Sequence, residues 1–341
     1  MCRHLGYVGP PVTVGELVVR GPHSLYQQSW APADMRAGGT INADGFGVAW
    51  WRRAEVGVEG AREAVTRYRN AAPIWTDPAV AEVLGQLESR AVLAAVRSAT
   101  VGMPVERAAC APFVDEHWAF SHNGVVPDWR TTSARVRADL DEIFATPTAL
   151  APAAASWPPA SDGPAPAAQP GAAAESRAGS MPETAGPLFG SVPEAAGPMF
   201  GSVPEAAGPL FGSAEVLLRA EALTDSAALW VLLRGLLGAI TPDGPVTSPA
   251  DALRLLVAAV LRHQPTARLN LLLGNGTELW ATTCWHALSV LVADDYTVLS
   301  SEPYDADPRW RPIADHQLVV ATPGHCTVTA LELPVTERVR S

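Results

Sequence analysis

Apolar and polar positions alternate in short, turn-bounded runs at both ends of the chain, and they follow a helical period mainly in between. Cys2 to Val8 has the length and apolar content of a buried strand. Gly45 to Trp51 (GFGVAWW), Ala91 to Val96 and Trp118 to Phe120 read as further short strands bounded by Gly, Asn and Pro. Ala79 to Ser89 predicts a helix, opened by Asp77 as cap with Pro78 at its first position. Later the pattern turns helical over Ala214 to Gly238 and again from about Pro249 to His263, where Leu253, Leu256, Val257 and Val260 share a face. Hairpins follow. LNLLL and ELWATT flank Gly274-Asn275-Gly276, LSVLV and TVLSS flank Asp294-Asp295, and QLVVAT and CTVTAL complete the strands. Strand blocks, then helices, then strands predict an α+β layered domain rather than alternating βαβ units.

Residues 147 to about 213 break this pattern with Ala, Pro, Gly and Ser and almost nothing basic. The stretch ends in three near-identical elevens, MPETAGPLFGS, VPEAAGPMFGS and VPEAAGPLFGS, filling 181–213. An eleven-residue period would suit a right-handed coiled coil, but Pro and Gly in every repeat exclude that helix. So little apolar surface cannot offset the chain entropy of ordering. The segment reads as a disordered insertion within a single domain spanning 1–341. The Leu/Met-Phe pair of each repeat is either a weak sticker for a partner or a product of neutral expansion.

Composition narrows the possible partners. Lys and Arg number 24 against 35 Asp and Glu, giving a net charge of −11. Such a surface disfavours nucleic acid and anionic membrane as partners. Cys2, Cys110, Cys284 and Cys326 show no C-x-x-C spacing, and the eight His show no H-E-x-x-H. A disulfide scaffold or Cys-based zinc site is therefore not expected, and no metal or other cofactor is required. MCRHLGYVG lacks the basic leader and apolar core of a signal peptide. ALWVLLRGLLGAI is interrupted by Arg234 and is too short to span a bilayer. The expectation is a cytoplasmic protein whose oligomeric state the sequence does not give.

The first candidate for chemistry is Cys2, because removal of Met1 would place a thiol and a free α-amine on one residue. An α-amine with a pKa of about 7.7–8.0 can act near neutrality as base for its own side chain. The alternative is an inert Cys in an edge strand. Arg97 follows a strand of small apolar residues and could grip a substrate carboxylate, or simply form a surface ion pair. Asn123-Gly124 could converge an amide and a backbone N–H on an oxyanion, or merely form a turn. Asp225 opens a helical pattern, as a cap or as a partner for an ammonium group.

Their order and flanks resemble the class II glutamine amidotransferases. That resemblance implies a four-layer αββα N-terminal-nucleophile hydrolase sandwich in which an N-terminal Cys attacks a γ-carbonyl. It implies Cys2 as nucleophile with its own amine as base, and Asn123 and Gly124 as oxyanion hole. It further implies Arg97 with the Thr100-Val101 backbone on the α-carboxylate, and Asp225 on the α-amino group. MCRHLGYVG, QSWAP, NADGFG, VRSATVGMP, PFVDEHWAFSHNG, ARLNLLLGNG and SSEPYDADP carry a closer resemblance, to the γ-glutamyl hydrolases of ergothioneine biosynthesis. That family removes glutamate from γ-glutamyl-hercynylcysteine sulfoxide.

Two departures from the glutaminase pattern matter. Val101 stands where amidotransferases commonly have His, and Ala227 where they have an acidic residue. Both fit a pocket that keeps the glutamyl head and admits a bulkier leaving amine. No ammonia-receiving domain accompanies the chain, so plain hydrolysis is expected. A glutaminase serving a separate synthase and a silent scaffold are the alternatives. His4 and His122 are expected as buried, hydrogen-bonded structural histidines rather than a second base, and Asn42, Asp44 and Gly45 as a tight loop near the pocket, with or without direct substrate contact. Cys110, Cys284 and Cys326 are expected to pack. Among 11 Trp, one or more could stack on a trimethylammonium group.

Overall fold

A computed structural model describes residues 2–34, 41–52, 64–145 and 209–331. Strand β1 (Arg3–Thr13) runs well past Val8 and leads into the short helices α1 (Val14–Val19) and α2 (Leu25–Gln28). Next come β2 (Phe46–Arg52), β3 (Ala64–Asn70), α3 (Ala79–Glu82) and β4 (Glu88–Val96). The helix expected over 79–89 is thus only a short piece. Asp77 does accept the Ala79 N–H at 2.9 Å, but from Glu88 onward the chain pairs with β1 instead. Sheet pairing outweighs local propensity here.

Then follow β5 (Phe113–Asp115), β6 (Trp118–Val125) and α4 (Trp129–Ala145). Helix α4 lies in a region that reads as strands and turns. Its buried Val136, Leu140 and Phe144 recur at i, i+4, the signal for it. The single helical pattern over 214–238 divides into a 3-10 turn at Ala214–Arg219 and α5 (Asp225–Gly238). Helix α6 (Pro249–His263) matches its predicted span, capped by Ser248. The remainder is β7 (Arg268–Gly274), β8 (Leu279–Thr283), β9 (Ser289–Val292), β10 (Thr297–Ser300), β11 (Arg311–Pro312), β12 (Gln317–Thr322) and β13 (His325–Ala330).

Among the described residues these strands form two antiparallel sheets, in the orders β11-β9-β10-β1-β4-β2-β3 and β13-β12-β8-β7-β6-β5. Val8, Ala49 and Leu93 of the first sheet meet Ala119, Leu272, Leu279 and Val319 of the second in a shared apolar layer. The outer face of the first sheet carries Leu5, Tyr7, Val92 and Val96 against Val14, Leu17, Leu25 and Val80 of α1–α3. The outer face of the second carries Phe120, Leu271 and Leu273 against Val136, Trp230, Leu233 and Leu256 of α4–α6. The result is a helix–sheet–sheet–helix sandwich, as expected.

The insertion and its first two repeats lie outside the described residues, as does Met1. The end of the third repeat does not. Leu210 and Phe211 pack against the α4–α6 core, and the Phe211 N–H donates to Asp141 Oδ1 at 2.6 Å. Cys110 and Cys284 are buried and Cys326 packs against the inter-sheet layer. Among the described residues no helix is long and apolar enough to cross a membrane.

Candidate active site

The period-two alternation of strands decides which side chains enter the space between the sheets. On β1, Leu5 and Tyr7 face the outer helices while Val8 faces the second sheet. Continuing the alternation backward from Val8 through Gly6 and His4 puts Cys2 on the inner face. On β4, Val92, Ala94 and Val96 face outward and Ala91 and Leu93 inward, so Arg97 also falls on the inner side. On β6, Ala119 is inward and Phe120 outward, which places Asn123 inward. Register puts Cys2 and Arg97 at one end of the first sheet, where Arg3 and Phe46 both pair with Val96, and Arg3 and Asn123 line a common cleft between the sheets. Three candidates that are far apart in sequence therefore lie at the same end of the sandwich.

Cys2 is half-buried, and its thiol approaches Ser98 O at 3.7 Å. Arg97 is buried, and its hydrogen bond among the described residues is a long one from Nη1 to Asp44 O, 3.4 Å. Its backbone is fixed by Arg97 N–H to Gly45 O (2.8 Å) and by Asp44 N–H to Arg97 O (3.0 Å). Gly45 has φ +115°, and a Cβ there would meet Cys110 Sγ at 2.4 Å, so the turn requires glycine. Burial pushes the Cys110 thiol up to about 11, keeping it protonated and inert behind this turn. Thr100 and Val101 form an exposed turn in which the Val101 side chain is fully in solvent.

Asn123 is 1% exposed, yet its Oδ1 has no partner among the described residues. Beside it, a Cβ on Gly124 would lie 1.9 Å from Arg268 O, so β6 and β7 can approach this closely only with glycine there. His122 points outward. Its Nε2–H donates to Arg268 O (2.8 Å) and its Nδ1 accepts from the Ser226 hydroxyl (3.0 Å), the tautomer those partners dictate. Asp225 is buried, but it is not the helix cap. Thr224 Oγ1 takes the Ala227 N–H at 3.1 Å, while the Asp225 carboxylate accepts the Val126 and Ser226 N–H groups at 2.9 and 2.8 Å. That bond seats Asp225 against the strand end that carries Asn123 and Gly124.

Several residues with no part in the sequence reading organise this end. Arg3 and Glu302 form a buried ion pair at 2.7 Å. Arg3 also donates to Cys2 O (3.0 Å) and to Asp34 O. Glu302 further accepts the Ala33 N–H (2.8 Å) and bonds the His23 ring. Burial alone would raise its carboxyl, but the His23 bond, the Ala33 N–H and Arg3 hold it below the usual range. Asn270 accepts the Cys284 and His286 N–H groups and donates to His286 O, fixing the turn beside the cleft. His4 and His286 are buried, and burial above all, with nearby cationic and histidine side chains, pushes each down to about 3. Both are thus neutral. His4 and His122 are both buried; His122 is hydrogen-bonded as expected, whereas neither ring nitrogen of His4 has a partner among the described residues. The available signal for the missed residues was a polar side chain inside an apolar strand, as with Asn270 in RLNLLLG.

An αββα sandwich with an inward-facing cysteine at the start of a central strand defines the N-terminal-nucleophile hydrolase class. The class II glutamine amidotransferase profile matches residues 24–140. The glutamine phosphoribosylpyrophosphate amidotransferase of B. subtilis superposes on 97% of this chain and half of its own length, with TM-score 0.50 and 11% identity, a likeness of fold alone. The chain belongs to the family of two curated proteins, each called γ-glutamyl-hercynylcysteine sulfoxide hydrolase. The one from Mycolicibacterium smegmatis is 32% identical over 97% of this chain and its own full length. The one from Mycobacterium tuberculosis is 33% identical over 97% of both.

Proposed function

We propose that this protein hydrolyses the γ-glutamyl amide of γ-glutamyl-hercynylcysteine sulfoxide, releasing glutamate and hercynylcysteine sulfoxide. The observation that supports this reading is that Cys2, Arg97 and Asn123 lie at one end of the two sheets, in a chain 32% identical to a named hydrolase over 97% of its length.

In this reading Met1 is removed and the Cys2 α-amine takes the thiol proton. The thiolate attacks the γ-carbonyl carbon. The oxyanion is received by the Asn123 Nδ2–H and the Gly124 N–H acting as preorganised donors. Collapse breaks the C–N bond, and the α-ammonium returns its proton to the departing amine. A glutamyl thioester remains on Cys2. Water, deprotonated by the same amine, attacks the thioester, and glutamate leaves with the thiol restored. Arg97 pairs with the α-carboxylate of the glutamyl head and the backbone turn at Thr100-Val101 lies beside it. Asp225 faces the α-ammonium.

The test is glutamate release, by protein whose Met1 is confirmed absent, from the sulfoxide and from glutamine in parallel. Preference for the sulfoxide, lost in Cys2→Ala, is expected. Preference for glutamine would instead indicate a glutaminase feeding a synthase.

A further inference from the structure

Trp30, Trp75 and Trp285 stand out as exposed tryptophans among the described residues. Trp285 already serves a cation, because the Arg268 guanidinium lies 4.8 Å from its ring centroid. No described cation lies over Trp30 or Trp75. These two meet edge to face, with centroids 5.6 Å apart and planes at 87°. Tyr26 braces Trp30 from another side at 4.9 Å and 84°. The two rings stand at a right angle, and each residue is a little over a third exposed, which leaves an aromatic corner at the surface.

The corner stands where two loops bordering the active-site end meet. Three and four residues after Trp30, the Ala33 and Asp34 N–H groups are held by Glu302, the partner of Arg3, which in turn holds Cys2 O. Before Trp30, Ser29 O accepts the Asn42 N–H at 2.6 Å, tying the loop to the turn whose Asp44 and Gly45 backbone binds Arg97. Trp75 follows β3, whose last residue, Asn70, pairs with Phe46 at the same sheet end. Asp77, two residues on, accepts bonds from Asn70, Tyr68 and the Ala79 N–H, which fixes the Trp75 loop and leaves a carboxylate nearby.

We propose that the Trp30–Trp75 corner is the subsite for a quaternary ammonium group on the leaving amine. This rests on the hydrolase reading above, in which the hercynyl portion is a trimethylated histidine. A trimethylammonium donates no hydrogen bond and spreads its charge over its methyl groups, so aromatic faces bind it better than they bind a hydrated primary ammonium. Arg97 and Asp225 account for the glutamyl end, and the corner would account for the other.

The experiment compares kcat/KM for the sulfoxide and for its analogue lacking the three N-methyl groups, in wild type and in Trp30→Leu, Trp75→Leu and Trp75→Phe. Wild type should favour the methylated substrate by about tenfold. Each Leu variant should bring that ratio toward one chiefly by slowing the methylated substrate, while Trp75→Phe, which keeps an aromatic face, retains most of it. Thermal midpoints report whether each variant is folded. An unchanged ratio in both Leu variants, or an equal fall for both substrates, overturns the subsite while leaving the hydrolase reading intact. Absence of glutamate from either substrate with wild type overturns the hydrolase reading and the subsite with it.

Discussion

The space between the two sheets has two ends built from the same strands, and they follow opposite rules. At one end, Val8, Leu93, Ala119 and Leu272 fill it with apolar side chains that are essentially fully buried. At the other, the same inner faces carry Cys2, Arg97, Asn123 and Asn270, with His4 and His286 buried beside them. The first end satisfies the packing rule that apolar groups close on one another. The second violates it, leaving Asn123 Oδ1, both ring nitrogens of His4 and His286 Nδ1 without partners among the described residues. Unmet polar groups cost stability, and here they gather where the chemistry is proposed. Stability is thus supplied at one end and spent at the other.

Matched substitutions should separate the two ends. Asn123→Ala should lower kcat by about 10²–10³, or about 3–4 kcal/mol on the barrier. The same variant should hold or slightly raise its thermal midpoint, because an unpaired buried oxygen is removed. A large loss of stability with near-normal kcat would make Asn123 an ordinary core residue. Leu272→Ala should do the reverse, costing about 3 kcal/mol in denaturant unfolding through a cavity between the sheets. Its kcat/KM, measured well below the melting range, should stay within about twofold.

A further effect is pH-dependent. His4 and His286 sit near 3 in the folded chain against 6.5 when unperturbed, so below pH 6.5 the unfolded chain binds more protons than the folded one. Stability is therefore unaffected by these groups above pH 6.5 and declines as pH falls toward 3. The decline is about 1.4 kcal/mol per pH unit for each fully titrating histidine. His4→Leu should flatten the slope by about one proton. An unchanged slope would mean that His4 is not buried in its neutral form.

Much of this contrast is legible in the sequence. The strand around Cys2, the two late hairpins and α6 all follow from periodicity and turn residues, and the resemblance singles out Cys2, Arg97, Asn123, Gly124 and Asp225. What was missed depends on partners distant in sequence. The shortness of α3 follows from Glu88 pairing with Thr13, and the hub at Glu302 from Arg3, His23 and Ala33 converging on one carboxylate. No local window contains those partners. Asp225 read as a possible helix cap, yet Thr224 takes that role and frees the carboxylate to bind Val126. Helix α4 was hidden by a thin apolar stripe, since only one narrow face is buried.

The central claim is that the polar end works through a covalent bond to Cys2. Its most direct test is mass spectrometry of protein quenched in acid during turnover of γ-glutamyl-hercynylcysteine sulfoxide, after digestion to release the N-terminal peptide. A glutamyl thioester on a peptide beginning at Cys2 is the expected result. Steady product formation with that peptide unmodified, or from protein that still carries Met1, would contradict it.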